Sequence, residues 1–460
     1  MPCAHPRRLP IASIALLICV LHCSPDRAAD ENARPDLKPD PMIQKIVGQI
    51  SEQRVADIMR KLETFQTRNT MSDATQTGRG VGAAREWILE QFKSYSPRLQ
   101  ASFDTYTIPR GGRIYKDVEL SNVVAILPGK QTPDRWILVS GHYDTVNLRN
   151  VAALRGHPEQ AAELPAPGVS DDASGTACAM ECARVMSQYE FDATLVFVAF
   201  AGEEQGLVGA HAMAKRLRSK NQEIEAVLNN DIIGNETAGN GKSEPHRVLL
   251  FSEDPADSPS RQLARLIHSC AVMYCPDMNV DLIFRHDRFG RGGDHTAFNQ
   301  EGYAAVRFTT PNEKFTDQHS PTDTFANASP AYAARVIRVN AAAAATLALA
   351  PRAPVTRVAG RALANGPGLT RGSGYDAVLR WQQPNAEPDL AGFIVVMRST
   401  IAPDWEKEFW AGNVHEFTLK DTPIDQIVLG VKAVDKAGHE GPVAAYVLPA
   451  PRVGATTEQQ

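Results

Sequence analysis

Beyond its first thirty residues the chain has no apolar run long enough to cross a membrane, and it has very little cysteine. Seven cysteines occur in 460 residues, and Cys3, Cys19 and Cys23 sit near the N-terminus. The other four, Cys178, Cys182, Cys270 and Cys275, are too few for a disulfide scaffold, and no CxxC pair suggests a structural zinc site. Cys178 and Cys182 stand four apart in a helical pattern and read as small buried residues. Cys270 and Cys275 are close enough to pair at a helix end in an oxidising compartment. A basic excess is also missing: 48 Lys and Arg face 53 Asp and Glu, a net charge of -5. That removes the electrostatic argument for nucleic acid or an anionic membrane surface as partner. There is no internal repeat. At 43% hydrophobic and 22% charged, the composition is that of a globular protein of two or three domains.

The N-terminus differs from the rest. "PRRLP" is basic, "IASIALLICVL" is apolar and "RAAD" offers small residues for cleavage. Residues 1–29 therefore read as a secretory signal, cut near Ala29, which implies a secreted or periplasmic protein. The apolar stretch is too short for a comfortable span, so no stable membrane insertion is expected. Cys23 follows His22, a poor context for a lipid anchor.

Residues 41–66 have helical periodicity, and "VGAAREWILEQFKSY" is a second amphipathic helix. Strands and helices then alternate. "NVVAILPG", "RWILVSG", "TLVFVAFAG", "IEAVLNNDIIG", "RVLLFSE" and "AAVRFTT" are strands; "ASGTACAMECARVMSQY", "LVGAHAMAKRLRS", "SPSRQLARLIHSCAVMY" and "PAYAARVIRVNAAAAATLAL" are helices. Nearly continuous apolar strands alternating with helices predict an α/β fold over residues 30–350, a mostly parallel sheet covered by helices on both faces. Residues 351–374, rich in Pro, Gly and Arg, read as a linker that includes a first edge strand. Residues 375–450 are short alternating strands, a small all-β sandwich, and 451–460 are a tail.

The strands end on ionisable residues. "LVSGHYDTV" delivers His142 and Asp144, "VAFAGEE" delivers Glu203 and Glu204, and "VLNND" delivers Asp231. In an open parallel sheet ligands bind at the carboxyl ends of the strands. Two loops add "GVSDDASG", with Asp171 and Asp172, and "DQHSPTDT", with His319. So many carboxylates repel one another unless cations neutralise them. Imidazole with carboxylate oxygens suits zinc best, with manganese or cobalt as compatible substitutes. Asp172 reads equally as a helix cap.

Five motifs, "SGHYDTV", "SDDASGTA", "FAGEEQGLVGA", "NNDIIGN" and "DQHSPTD", resemble in sequence and order the co-catalytic di-zinc metallopeptidases that include secreted bacterial aminopeptidases and glutamate carboxypeptidase (metallopeptidase family twenty-eight). The resemblance spans roughly residues 50–350. It implies two Zn2+ ions. His142 and Asp231 would bind one, Glu204 and His319 the other, and Asp171 would bridge them. It makes Glu203 the general base, activating water and then protonating the leaving amine, and Asp144 the residue that orients the His142 imidazole. The implied substrate is a peptide or protein. The Trp381 strand, "LAGFIVVMRS" and "VKAVDKAGHEGP" resemble a fibronectin type III domain, with Phe393 in place of the usual Tyr. Such a sandwich either binds a protein or polymer surface or packs on the catalytic part.

"RFGRGGDHTAF" resembles the family's S-D-H-x-x-F segment, but Gly293 stands where Ser is usual. Asp294, His295 and Asp323 are candidate supports of the site, while Arg288 and Arg291 are candidates to meet a substrate carboxylate. His157, His211, His246, His268, His286 and His439 read as surface or structural. Three functions remain open: an aminopeptidase, a carboxypeptidase or dipeptidase of the same family, and a metal-free binding protein on the same fold. The full ligand set favours the first two, and the arginines would favour the second.

Overall fold

The computed structural model describes residues 1, 34–35, 37–149, 154, 156–253, 256–288, 291–357 and 366–446. The expected signal segment beyond Met1, Cys3, Cys19, Cys23 and the tail 451–460 lie outside the described residues. Eight strands form one sheet: β1 (Gln100–Ile108), β2 (Val118–Leu127), β3 (Thr132–His142), β4 (Ala193–Phe200), β5 (Glu223–Asn230), β6 (Arg247–Phe251), β7 (Asn279–Ile283) and β8 (Ala305–Thr309). Their order is β1-β2-β4-β3-β5-β8-β6-β7. The central strands β4, β3, β5 and β8 are parallel. β1–β2, β2–β4 and β8–β6 are antiparallel, so the sheet is mixed, with a parallel middle.

Nine helices are described: α1 (Pro41–Gly48), α2 (Glu52–Glu63), α3 (Gly80–Tyr95), α4 (Pro158–Ala162), α5 (Ser174–Met186), α6 (Val208–Ser219), α7 (Pro259–Tyr274), α8 (Asp294–Gln300) and α9 (Pro330–Leu349). The period-two geometry of a strand sends alternate side chains to opposite faces. In β4, Leu195, Phe197 and Ala199 join the core under α1, α2, α3, α5, α7 and α9, while Val196, Val198 and Phe200 join the core under α6 and α8. Helices thus cover both faces, as continuous apolar strands require. The expected helix over 41–66 is two helices, because Ser51 starts a new one by accepting the Arg54 amide at 3.3 Å.

β1 and β7 are not foreseen from the sequence. Both are edge strands. β1, "QASFDTYTI", alternates exposed and half-buried residues, so it lacks the apolar run that marks a central strand.

After α9, β13 (Glu416–Leu419), β10 (Ala377–Arg380) and β9 (Gly368–Arg371) form a three-stranded antiparallel sheet. β12 (Lys407–Gly412), β11 (Leu390–Ser399), β14 (Ile427–Asp435) and β15 (Ala444–Ala445) form a four-stranded one. The two sheets enclose Trp381, Leu379, Phe393, Val395 and Val431. This sandwich packs on α7 through charge. Buried Asp257 accepts from Arg398 Nη2 at 2.6 and 2.5 Å and pairs with Arg265 at 3.0 Å. Removing one partner of such a cluster strands a buried charge and costs about 3–5 kcal/mol. All four described cysteines are buried free thiols, so Cys270 and Cys275 are not paired. Among the described residues no helix is long and apolar enough to cross a membrane.

Two histidines join the sandwich to the rest. His268 Nδ1 lies 2.8 Å from Asp404. His439 faces Asp435 with Nδ1 at 2.7 Å and Asp40 with Nε2 at 3.1 Å. An imidazole facing carboxylates with both nitrogens is the doubly protonated form. The hydrogen bond to Asp404 raises the His268 pKa; for His439, burial opposes the charge but Asp435 and Asp40 outweigh it. Both folded pKa values lie above the unfolded one, so this stabilisation is complete below about pH 6.5 and fades as pH rises through the raised values. Thermal unfolding of the zinc-saturated His268→Gln/His439→Gln double variant is expected to show its largest deficit against wild type at about pH 6, shrinking toward pH 9. A deficit that does not change with pH would refute this account.

Candidate metal centre

Three backbones meet below the site without side chains between them. A Cβ on Gly141 would stand 2.2 Å from the carbonyl carbon of Gly175, and one on Gly175 would stand 2.2 Å from the Asn230 oxygen. The ends of β3 and β5 and the start of α5 therefore touch directly. That contact gathers His142, the 170–173 loop and Asp231. Asp172 fastens it: its carboxylate accepts from the amides of His142 at 3.0 Å, Gly175 at 2.8 Å and Ile232 at 3.3 Å. Its oxygens are thus committed to the backbone, and Asp172 acts as a cap.

The expected ligands converge. His142 Nε2 is 3.2 Å from Asp171 Oδ1 and 3.9 Å from Asp231 Oδ1. His319 Nε2 is 3.1 Å from both Asp171 Oδ2 and Glu204 Oε2. Donor atoms of His142, Glu203 and Asp231 lie within 4.8 Å of one another, and so do those of Asp171, Glu204 and His319. The adjacent glutamates thus fall into different groups. Asp171, Glu204, Asp231 and His142 are buried, while Glu203 and His319 are half-exposed.

Asp144 meets both the His142 ring and the glutamate turn. At His142 Nδ1 the near partner is the Asp144 main-chain oxygen, 3.1 Å away, whereas its Oδ1 is 3.7 Å away. The carboxylate instead accepts the amides of Glu203 at 3.1 Å and Glu204 at 3.2 Å, and the Thr70 hydroxyl at 3.3 Å. A buried carboxylate that accepts two adjacent amides fixes the turn carrying both glutamates. Asp323 does the same for the opposite loop, accepting the Ser170 and Asp171 amides at 2.9 and 3.0 Å.

Two buried arginines are not foreseen from the sequence. Arg68 is fully buried and donates to the carbonyls of Tyr143 (2.6 Å), Leu62 (3.0 Å), Pro167 (2.5 Å) and Gly168 (2.7 Å), tying β3 to the Asp171 loop. Arg307, inside β8, lies 3.1 Å from Asp231 Oδ2. The only signal for Arg307 is a cation inside "AAVRFTT", which a buried strand tolerates only beside an acid. Of the other candidates, Asp294 is buried and neither of its oxygens has a partner among the described residues. His295 Nε2 meets Glu253 at 3.1 Å. Arg291 Nη1 donates to both Glu313 oxygens at 2.8 and 2.6 Å. Arg288 is half-exposed over Phe315. His157 and His286 are largely exposed.

The electrostatics follow from crowding. Burial, then the charges of Asp231, Glu204 and Asp294, lift Glu203 well above the usual carboxylate range. Burial and Asp171 push Glu204 up to about 7. For His319 burial opposes protonation, but hydrogen bonds to Asp171 and Glu204 hold the imidazole at about 11. The two glutamates are held up while Asp171 and Asp231, beside imidazole and guanidinium, are held down, so each acid of the site is governed by how much positive charge it meets. A buried Glu204 Oε1 without a partner adds to this. Imidazole nitrogens and carboxylate oxygens at this spacing fit zinc.

The comparisons agree. The profile of Peptidase family M28 matches residues 122–344. A probable zinc metalloprotease of Pyricularia oryzae is 38% identical over 443 residues, covering 88% of this chain and 84% of that protein. The chain belongs to peptidase family M28. A second probable zinc metalloprotease, from Pyrenophora tritici-repentis, is 34% identical and covers 90% of this chain and 98% of its own. As an M28 member the chain is a zinc-dependent metallopeptidase, and its substrates are peptides or proteins. Among solved structures, the Legionella pneumophila LapA aminopeptidase aligns with a TM-score of 0.52 at 19% identity, covering 74% of this chain and 80% of that one. A Macrostomum lignano glutaminyl cyclase also aligns at 0.52, with 13% identity, covering 68% and 95%. These likenesses show a fold shared by an aminopeptidase and a glutaminyl cyclase, and fold alone does not select the reaction.

Because zinc binds the folded site, stripping it with a chelator should lower stability. At zinc one hundred times its dissociation constant the linkage is about 2.7 kcal/mol, or roughly 5 °C in Tm for a domain of this size. Calorimetry with chelator and then with restored zinc checks this, and a Tm indifferent to both would contradict it.

Proposed function

We propose that this M28 peptidase is an exported aminopeptidase holding two zinc ions, one by His142 and Asp231 and one by Glu204 and His319, with Asp171 shared between them. The observation that carries the two-ion reading is Asp171, whose two oxygens face different imidazoles at 3.2 and 3.1 Å. Bound zinc supplies Lewis acidity and an acidified water. The proton handling falls to Glu203. Burial and then neighbouring acids raise the proton affinity of this carboxylate, which suits it to take a proton from water at one oxygen and give it to the departing amine nitrogen. Asp144 keeps Glu203 in place through its amide rather than its side chain. One strand-end turn thus holds a ligand and a base side by side.

The choice of an aminopeptidase draws on the resemblance of the five motifs to those of secreted aminopeptidases and on the arginines. A carboxypeptidase needs a cation for the substrate carboxylate, and the half-buried Arg291 is already engaged by Glu313. Export draws on the basic, apolar and small-residue order of residues 1–29. The fibronectin type III reading of the C-terminal sandwich draws on its three- and four-stranded sheets around Trp381.

Metal content and activity measured together test the reading. Wild type and Glu203→Gln should each hold two zinc ions. Only wild type should release N-terminal residues from free-amine peptides, and the variant should be slower by about 10²- to 10⁴-fold. One zinc per chain would refute the shared Asp171. Cleavage confined to N-blocked or C-terminally free acidic peptides would replace the aminopeptidase with a carboxypeptidase or dipeptidase.

A further inference from the structure

Arg307 sits between Val306 and Phe308 in β8, opposite Asn229 of β5, and is 1% exposed. Its Nε is 3.1 Å from Asp231 Oδ2 and its Nη1 donates to Asp287 Oδ2 at 3.0 Å. Asp231 Oδ1, the other oxygen, is the one that faces His142 at 3.9 Å. The two oxygens of one carboxylate are thus divided between an arginine and the metal site. A second feature explains how a guanidinium reaches so close. Position 293 is glycine. A Cβ there would stand 2.9 Å from Asp231 Oδ2, 3.2 Å from Arg307 Cδ and 3.3 Å from Asn229 Nδ2. The Gly293 backbone is extended, with φ of -167°, so the glycine is not required by conformation. What it provides is space.

We propose that Arg307 is a positioning residue of the metal centre: it holds the outer oxygen of Asp231, leaving the inner oxygen to the metal, and it does so because position 293 carries no side chain. The glycine at position 293 and the arginine inside its apolar strand are then one feature. The inference rests on Asp231 as a zinc ligand.

Zinc affinity by chelator competition, melting of the zinc-free protein, and kcat and KM at saturating zinc test it in Arg307→Met, Arg307→Lys, Gly293→Ala and Asp231→Asn. The dissociation constant of one zinc ion should rise by about 10- to 100-fold in Arg307→Met, with kcat falling while KM stays near wild type. Arg307→Lys should recover part of both. Gly293→Ala keeps the arginine but crowds Asp231 Oδ2 at 2.9 Å and Arg307 Cδ at 3.2 Å, and should weaken the same zinc ion. A folded Arg307→Met that binds zinc as wild type does, or more tightly, overturns the proposal, whatever happens to its zinc-free melting. If Arg307→Met does not fold, Arg307→Lys decides: a zinc ion held less tightly than in wild type supports the proposal and unchanged affinity overturns it. Should Asp231→Asn also leave zinc binding intact, the assignment of Asp231 fails first.

Discussion

The structure is organised around an electrostatic problem: several carboxylates must stand out of water within a few ångströms of one another. A buried carboxylate needs hydrogen bonds or a cation, and ion pairs formed at such sites do not fully offset the loss of solvent. The chain resolves this in two ways, and the split separates supporting acids from metal-facing ones. Asp144, Asp172 and Asp323 give both oxygens to backbone amides or hydroxyls. Asp171 and Glu204 direct oxygens at imidazoles instead. The first group is satisfied by the fold alone. The second depends on positive charge, which is why these residues form the candidate metal site.

This division also explains how far the sequence can be read. Each metal-facing residue follows an apolar run or sits in a short polar motif, so its place at a strand end or in a neighbouring loop is legible from the pattern of residue types. The parallel middle of the sheet is legible for the same reason, since β4 is buried along its whole length. Edge strands are not, because β1 is polar on alternate residues and half-exposed. Nor is the work of Asp144. Its spacing from His142 suggests a side-chain contact, yet the chain beyond β3 presents its carbonyl to the ring and sends the carboxylate to the glutamate turn. Spacing along a chain shows which residues are near, but not which of their atoms meet. Arg68 and Arg307 are hidden more thoroughly, because a buried arginine is spelled like an exposed one.

The C-terminal sandwich belongs to the same electrostatic order. It is fastened to α7 by Asp257 with two arginines and by His268 with Asp404. α7 leads into β7, and the segment after β7 carries Asp287, the outer partner of Arg307. Arg265 and Arg261 of α7 also stack on Phe284 just before that segment. An ion-pair chain sets the position of its inner member only when its outer member is held. The inner end, Asp231, is held by β5 and by the hydrogen bond that its N–H donates to the Phe308 carbonyl. The outer end is held by an element that the sandwich grips. A domain that looks appended in the sequence therefore grips the helix that leads, through β7, to Asp287, the outer partner of Arg307.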